Sequence, residues 1–571
     1  MKKKVLAVLL SAAMVLSFAA CGEKTPSTSS TETSVASTVD TGADTQAKAD
    51  EPDANGMLNG KFVETRHISV ELYDRAVDGG TEAGDNAWTK WIQEQVLERY
   101  NIEVEFKTVP RWTETDEINN LLAAGDAPDI CYTYSYPTIQ TYANMGGVTD
   151  LAPLLDQYKD LLPNMFDWLG DDAIYQDLDP ATGTLWAIEG KRNEICRINT
   201  FVRQDWLDTL GIKAPTTKAE FEAMLVAFRD NADKLLGADA DKMVPYSVSY
   251  DVGWRAATLI ESFMDPDITD KEYYVNGFDD RKFTQNGTKE AVKLLNKWYN
   301  DGLMWKDFAL YSSGDTTEDD MIKAGFVGAF THNYDYPFRG GKDSINATLA
   351  GLYGDQAKFV AINPFEDKNG KYTKYNNGVT GDRKAFFPAT NDEPLASLLY
   401  LEFMSDAKVV EFLQTGEEGV IHTVADNGAI VIQAPDEAHH DWYQNSGKNI
   451  DMTINCNGLR LATPELTQLS LAYSYSDVDV ADVQGAIEAA MLDWRSAPVA
   501  SVGDIVAESE GTDLAGKRDQ ALDNAVVAAV ADFDAVWDKG MSEYLAAGGQ
   551  AIIDERLAAW EKTYGDATMI R

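Results

Sequence analysis

The chain has 571 residues, and its 93 acidic residues against 49 basic ones give a formal net charge of −44 at pH 7. A surface this acidic repels phosphate groups, which excludes nucleic acid as an expected partner and disfavours a polyanionic ligand unless a local basic pocket holds it. With four cysteines and five histidines, and no closely spaced cysteine pair, we expect neither a metal nor a cofactor.

The first 21 residues have the pattern of a secretion signal. Lys2 to Lys4 form a basic start, and residues 5–18 form an apolar stretch that is too short to span a bilayer. The stretch ends in Ala19-Ala20-Cys21, which resembles the lipobox of bacterial lipoproteins. That resemblance implies cleavage of residues 1–20 and acylation of Cys21, which would tether the mature chain to the membrane. An ordinary secretion signal and a short N-terminal transmembrane helix are the alternatives.

Residues 21–56 predict a disordered linker after the lipidated cysteine, because they are rich in Ser, Thr, Ala, Asp and Gly and carry almost no large apolar side chain. The remaining residues 57–571 are too many for one hydrophobic core and suit two large lobes. None of their apolar runs reaches the length of about eighteen residues that a membrane-spanning helix needs.

Residues 67–136 predict an alternation of strands and helices. Residues 67–73, 102–106 and 130–132 have strand patterns, and the residues between them carry apolar side chains at helical spacing. This β-α-β-α-β order implies a parallel sheet with helices on both faces. Ligands gather at the carboxyl ends of such strands, which places Arg75, Tyr134 and Tyr136 at a candidate site.

Five separate stretches resemble extracellular solute-binding proteins, which deliver sugars to ATP-driven importers. The first is LLAAGDAPDI at 121–130 followed by YANMGGVTDL at 142–151, and the second is FVRQDWLDTLG at 201–211 with PTT at 215–217. Later matches are NPF at 363–365, GEEGV at 416–420 and ERLAAW at 555–560. The resemblance covers the whole body and implies an α/β fold of the type II periplasmic-binding-protein kind, with two lobes and a ligand cleft between them.

The resemblance also implies where the lobes begin and end. Lobe one would comprise residues 57–190 and the return segment 378–416. Lobe two would comprise residues 191–377 and 417–571, the latter with a C-terminal helical segment. The chain would cross between lobes at about residues 188–198, near Gly378 and near Glu417.

Aromatic side chains in polar, loop-like stretches are the candidate ligand contacts. A sugar ring offers an apolar CH face to an aromatic ring while its hydroxyl groups need polar partners, so such stretches suit a neutral sugar. The resemblance implies that the loops after strands one and three and two lobe-two segments line the cleft. The predicted ligand contacts are Tyr134, Trp254, Tyr334, Tyr136, Arg75, Trp112, Asp251, His332, Asn333 and Arg383.

Most large aromatic residues in a chain of this size pack in a core. Those at helical spacing among other apolar residues are assigned to packing: Trp91, Trp206, Trp298, Trp537 and Trp560. Cys131, Cys196 and Cys456 lack the close spacing of a zinc or redox site. Cys131 and Cys196 lie in apolar runs, where a buried free thiol is the best explanation.

Signatures of an enzyme or of a calcium site are weak. The sequence has neither a GxxxxGK[ST] phosphate loop nor a GxSxG nucleophile elbow. Residues 265–270 and 366–370 faintly suggest calcium loops, but neither carries the distal glutamate of such a loop, and Asn369-Gly370 favours a turn.

The sequence therefore predicts a receptor on the extracellular face of the cell membrane, anchored through Cys21. It would bind a carbohydrate, expected to be an oligosaccharide, and pass it to the permease subunits of an importer by hinge closure. We expect a monomer without enzymatic activity. A receptor for peptides or another polar solute is the first alternative, and a secreted polysaccharide-degrading lipoprotein is the second.

Overall fold

The computed structural model describes residues 51–77, 80–192, 198–312, 314–376, 382–433, 435–442, 449–475, 477–510 and 513–570. The predicted signal peptide (1–20), the acylated Cys21, most of the linker and Cys196 lie outside these residues. A compact unit begins at Pro52, a few residues before the predicted start of the body at residue 57. There Asp53 closes a turn, because its carboxylate accepts the N–H groups of Asn55 at 2.9 Å and Met57 at 2.8 Å.

The strands are short and fall into several small sheets. In chain order they are β1 (Met57–Leu58), β2 (Lys61–Phe62), β3 (Arg66–Asp74), β4 (Ile102–Pro110), β5 (Cys131–Thr133), β6 (Ile188–Glu189), β7 (Lys191–Arg192), β8 (Ile198–Arg203), β9 (Val244–Ser247), β10 (Val327–Asn333), β11 (Phe359–Ile362), β12 (Lys374–Asn376), β13 (Lys384–Phe386), β14 (His422–Val424), β15 (Ile430–Ile432), β16 (Cys456–Asn457) and β17 (Trp494–Ser496).

The helices supply most of the regular structure around these sheets. They are α1 (Ala87–Tyr100), α2 (Glu114–Ala124), α3 (Tyr136–Asn144), α4 (Ala152–Tyr158), α5 (Pro163–Ile174), α6 (Gln204–Leu210), α7 (Lys218–Asp230), α8 (Ala232–Leu236), α9 (Val252–Arg255), α10 (Ala257–Phe263), α11 (Asp270–Asn276), α12 (Thr288–Asn300), α13 (Thr317–Lys323), α14 (Ile345–Tyr353), α15 (Pro394–Phe403), α16 (Ala407–Thr415), α17 (Pro464–Leu471), α18 (Val480–Met491), α19 (Val506–Glu510), α20 (Leu514–Val527), α21 (Phe533–Tyr544) and α22 (Gln550–Tyr564). Among the described residues, none of these helices is long and apolar enough to cross a bilayer.

The predicted β-α-β-α-β order of residues 67–136 is confirmed. β3 and β4 run parallel along their whole length, and Val70 forms a parallel bridge to Ile130 next to β5. α1 starts after Asn86, whose side chain accepts the N–H groups of Trp88 at 2.9 Å and Thr89 at 3.0 Å. This cap satisfies donors that have no partner inside the helix. The carboxyl ends of β3, β4 and β5 therefore meet at one edge.

One hydrophobic core forms around these strands and α1. It buries Val70, Trp88 and Tyr132, and it also takes in Phe386 and Leu399 from the segment after residue 382. β13 in this segment pairs antiparallel with β5 and with β6. The chain thus returns to the first sheet after building a second core.

The second core surrounds the sheet β11-β8-β10-β9. Helices α7 and α12 cover the sheet with Phe221, Phe228 and Trp298. The packing roles predicted from helical spacing are confirmed for Trp206, Trp298, Trp537 and Trp560, which are buried, and Trp91 is partly buried against the first core.

Two short strand pairs lie where the chain passes between the cores. β7 pairs with β16, and β12 pairs with β17. The boundary predicted near Glu417 differs from the observed packing: Ile421 and Ile454 belong to the first core, whereas Ile430 and Leu459 belong to the second. Residues beyond 417 therefore contribute to both cores. The other lobe limits stay predictions, since residues 193–197 and 377–381 lie outside the described parts.

The C-terminal helix forms a small third cluster. Trp560 and Ile552 of α22 pack with Tyr274 of α11 and with Val502 and Ile505. These contacts hold the segment that contains Val502 and Ile505, just before α19, against α22.

Candidate strand-end and pocket sites

The first group of predicted site residues lies where β3 ends. Arg75 follows the strand, and its Nε and Nη2 atoms donate to the carboxylate of Asp451 at 2.5 and 2.9 Å. The Asp451 side chain is almost completely buried, whereas one fifth of Arg75 stays exposed. The two-point ion pair holds residues 449–455 against the strand end, and it leaves the Arg75 charge balanced.

Arg111 brings together the aromatic residues at this edge, although the sequence analysis did not single it out. Its guanidinium carbon lies 4.6 Å from the ring centre of Tyr134, 5.0 Å from that of Tyr73 and 5.4 Å from that of Trp112. Trp112 is 70% exposed, so it offers most of its ring surface to a ligand. The position of Arg111 directly after β4 was the available signal for it.

Two carboxyl groups lie beside Arg111. Glu114 forms an ion pair with Arg111 and accepts the Thr133 hydroxyl at 3.4 Å. Glu71 is fully buried in β3 and accepts the N–H of Tyr132 at 2.8 Å. Burial raises the pKa of both carboxyls, and Arg111 opposes the rise at both. This edge of the sheet is therefore rich in rings and hydrogen-bonding groups.

Tyr136 does not join this group through its hydroxyl. The hydroxyl donates to the Asp504 carboxylate at 3.0 Å and lies 3.3 Å from the carbonyl of Asp177. Asp504 precedes α19, whose first N–H groups donate to Glu555 of α22. Tyr136 thus links α3 of the first core to the C-terminal cluster, and the contact predicted for it with a ligand stays a prediction.

The second group of predicted residues lies on α9 and β10. The rings of Trp254 and His332 meet edge to face with centres 4.7 Å apart, and His332 stacks on Tyr336 at 3.4 Å. Burial lowers the pKa of His332 well below its usual value, and the charges of Arg255 and Arg339 add to the effect. The imidazole is therefore neutral at pH 7, and its ring packs against Trp254 and Tyr336.

Asp251 and Asn333 complete the second group. Asp251 caps α9 by accepting the N–H of Trp254 at 3.1 Å, and it binds Arg281 at 2.6 Å. Asn333 ends β10, where its backbone pairs with Ile198. Asp251 thus positions the backbone of Trp254, and its charge is balanced by Arg281.

Two of the predicted ligand contacts have buried side chains, and their contact with a ligand stays a prediction. Arg383 has no exposed surface, and its guanidinium donates to the carbonyl groups of Thr453 at 2.9 Å and Cys456 at 3.1 Å. Tyr334 is 2% exposed, and its hydroxyl lies 3.4 Å from that of Tyr475. Arg383 holds the segment before β16 on the first core, and Tyr334 packs in the second core.

A pocket opens beside Trp254. Its aromatic lining residues are Trp254, Tyr375 and Trp494, and its charged lining residues are Glu261, Asp280, Lys282 and Lys374. Tyr375 and Trp494 come from β12 and β17, which pair in parallel. The sequence analysis missed both rings, because nothing in the chain shows that residues 374–376 and 494–496 lie side by side.

Hydrogen bonds fix the polar edge of this pocket. Lys282 lies 2.9 Å from Glu261, and Glu261 also accepts the N–H of Tyr375 at 3.2 Å. Lys374 donates to the carbonyl of Ala489. Flat aromatic walls therefore stand next to firmly held donors and acceptors, which suits a ligand with an apolar face and a hydroxylated rim.

In the two segments that resemble calcium loops, residues 265–270 and 366–370, acidic side chains form hydrogen bonds within the protein. The Asp367 carboxylate accepts the N–H groups of Asn369 at 2.7 Å and Lys371 at 3.0 Å, which confirms the predicted turn. Lys368 donates to Asp265 at 2.6 Å and so joins the two segments. In the described ranges no group of three or more His, Cys, Asp or Glu side chains is placed to hold a metal ion.

Cys131 and Cys456 are buried free thiols, as predicted for Cys131. Burial raises the pKa of Cys131 well above its usual value and that of Cys456 to about 12. Both thiols stay protonated at neutral pH and pack as small apolar groups.

The fold has extensive matches among solved structures, although no protein-family model matches the chain. The alginate-binding protein AlgQ2, solved without its calcium ion, gives a TM-score of 0.61 at 15% identity, over 87% of this chain and 98% of that one. The substrate-binding protein FusA of Streptococcus pneumoniae, solved with kestose, gives 0.59 at 12% identity, over 88% and 100%. An extracellular solute-binding protein of Bifidobacterium longum subsp. infantis gives 0.56 at 16% identity, over 87% and 98%. At these identities the likeness shows the fold, and it confirms the predicted α/β architecture with two lobes.

Two curated proteins of Bacillus subtilis (strain 168) are similar in sequence. Lipoprotein LipO is 27% identical over 224 residues, which are 38% of this chain and 42% of the relative. The polygalacturonan/rhamnogalacturonan-binding protein YtcQ is 24% identical over 349 residues, or 56% of this chain and 61% of the relative. The chain thus matches less than two thirds of the length of either protein.

Proposed function

We propose that this chain, which has the fold of extracellular solute-binding proteins, is a membrane-anchored receptor that binds an oligosaccharide and delivers it to an ATP-driven importer. The observation that carries the proposal is the pocket in which Trp254, Tyr375 and Trp494 stand beside fixed hydrogen-bonding side chains. A pyranose ring would stack its CH face on one of these rings while its hydroxyl groups contact Glu261 or Lys282.

The names of the similar proteins support binding over catalysis. AlgQ2 and YtcQ are named as binding proteins, and FusA as a substrate-binding protein. We therefore propose that this chain binds its sugar without cleaving it. The same names favour a carbohydrate over a peptide as the ligand.

We propose hinge closure as the mechanism of capture. Sugar would bind at the pocket on the second core, and the strand-end group with Trp112 and Tyr134 would approach it as the cores close about the strand pairs β7-β16 and β12-β17. Saturating sugar should lower the radius of gyration measured by small-angle X-ray scattering without changing the circular dichroism. An unchanged radius for a protein that starts in an open form would contradict closure.

The proposed ligand class is tested with the purified mature chain and a panel of oligosaccharides. A ligand that binds only the folded state raises its stability by about 2.7 kcal/mol when present at a hundred times its dissociation constant. We expect at least one oligosaccharide to raise the melting temperature and to be recovered uncut by chromatography. Stabilisation by peptides alone would overturn the carbohydrate proposal, and shortened sugars would show an enzyme instead.

The membrane anchor is tested at Cys21. We expect Cys21→Ala to release the protein into the medium or to leave an uncleaved precursor, because the variant lacks the thiol that carries the lipid. Partition between detergent and water, together with the mass of the product, measures both outcomes. Ser27→Ala, a change in the adjoining segment that keeps the cysteine, should stay anchored. A processed Cys21→Ala protein that still enters the detergent phase would refute the lipid anchor.

A further inference from the structure

We infer that the ligand of this chain is an uncharged oligosaccharide rather than a fragment of a uronic-acid polymer. The inference rests on the proposed function and narrows its ligand class. The similar proteins leave this choice open: alginate and polygalacturonan, in the names of AlgQ2 and YtcQ, are polymers of acidic sugars, whereas the kestose bound to FusA is neutral. A carboxylated sugar is held best by an arginine or lysine whose charge is not already balanced.

At the strand ends, the two partly exposed arginines, Arg75 and Arg111, each form an ion pair with a carboxylate of the protein. Arg75 is bound at two points by the nearly buried Asp451, at 2.5 and 2.9 Å. Arg111 is bound by Glu114 three residues further along the chain. A sugar carboxylate placed here would meet a carboxylate of the protein beside each of these two arginines, which weakens its attraction to the cation.

The same pattern holds around Trp254 on the second core. Lys282 lies 2.9 Å from Glu261, and Arg281 lies 2.6 Å from Asp251. Arg255 of α9 is buried with Glu318 as its ion-pair partner. Each of these cations faces an acid of the protein itself, and a ligand acid would have to compete with that acid.

Two further cations near the pocket are engaged by backbone and rings. Lys374 donates to the carbonyl of Ala489. Arg495 donates to the carbonyl of Pro266 at 3.1 Å and lies over the ring of Tyr375 with its guanidinium carbon 4.8 Å from the ring centre.

The pocket is lined by equal numbers of acidic and basic side chains. Glu261 and Asp280 oppose Lys282 and Lys374, and the chain as a whole carries −44. The overall field therefore does not attract an anion. The aromatic walls and the hydrogen-bonded rim fit a neutral sugar whose hydroxyl groups both donate and accept.

The test is a calorimetric titration with a matched pair of probes beside a neutral panel. The pair is tetragalacturonate and its fully methyl-esterified form, which share one backbone and differ in charge. The neutral panel contains xylotetraose, cellotetraose, mannotetraose, maltotetraose and kestose. Every titration is run at low and at high sodium chloride concentration.

We expect a neutral probe to bind at least about tenfold more tightly than tetragalacturonate, with an affinity that changes less than about twofold with salt. If both galacturonides bind, the esterified form should bind as well as the acid or better. Tetragalacturonate that binds more tightly than every neutral probe, with an affinity that falls as salt rises, would overturn the inference and leave the carbohydrate receptor standing. Binding of no sugar at all would refute the receptor itself, and the inference with it.

Discussion

Trp254→Ala is expected to weaken oligosaccharide binding about five- to a hundredfold. The side chain lines the pocket and is held edge to face by His332, so its loss removes a preformed apolar platform. Burying a large apolar side chain stabilises by roughly 1–3 kcal/mol, which gives that range in the dissociation constant. Isothermal titration with the tightest probe of the neutral panel measures the change.

Trp254→Phe is the matched control, because it keeps a flat ring in the same place. We expect it to recover most of the lost affinity, and neither variant should unfold at a much lower temperature, since Trp254 is not part of the second core. An alanine variant with normal affinity and a lowered melting temperature would show that Trp254 packs in the protein instead of contacting sugar.

Trp298→Ala should have the opposite effect, with a large loss of stability and a preserved site. Trp298 has no exposed surface, lies 5.6 Å from the ring of Phe221, and donates its indole N–H to Glu222 at 2.9 Å. Truncating a buried tryptophan costs about 3–5 kcal/mol through lost contacts and the cavity that remains.

Urea denaturation measures the free energy of unfolding of this variant, and titration of the folded protein measures its affinity. We expect the affinity to stay within about threefold of the parent, an energy difference below 1 kcal/mol. A variant of normal stability would refute the assignment of Trp298 to the core. A folded variant that binds sugar far more weakly would show that the second core and the pocket are not independent.

The order of strands and helices could be predicted because its signals are local. Residues 67–73 alternate at a period of two, and the apolar residues of α1 recur at helical spacing. Each pattern is therefore sufficient to predict a strand or a helix from the segment alone. Helical spacing likewise identified Trp298 and Trp560 as core residues. The carboxyl ends of the strands then indicated where Arg75 and Tyr134 lie.

Whether an individual side chain is buried or exposed could not be predicted in the same way. Tyr334 sits in a polar stretch like that of Trp254, yet it is buried beside Tyr475, more than a hundred positions away. Arg383 follows a loop-like stretch, but it is buried by the carbonyl groups of residues 450–456. Both outcomes depend on contacts between distant parts of the chain.

The pocket itself depends on such a distant contact. Tyr375 and Trp494 become neighbours only because β12 and β17 pair in parallel. The ion pairs of Arg75 with Asp451 and of Lys282 with Glu261 also join distant parts of the chain, and neither acidic partner was predicted. A single sequence reports which residues are present, whereas pairing between remote strands decides which of them share a site.

The most direct test of the proposed receptor is a crystal structure of the mature chain with the tightest oligosaccharide of the panel. We expect a sugar ring stacked on Trp254 or Trp494, with carbon atoms about 3.5–4.0 Å apart, and sugar hydroxyl groups bonded to Glu261 or Lys282. Sugar bound elsewhere, with the pocket beside Trp254 unchanged from its free state, would contradict the account.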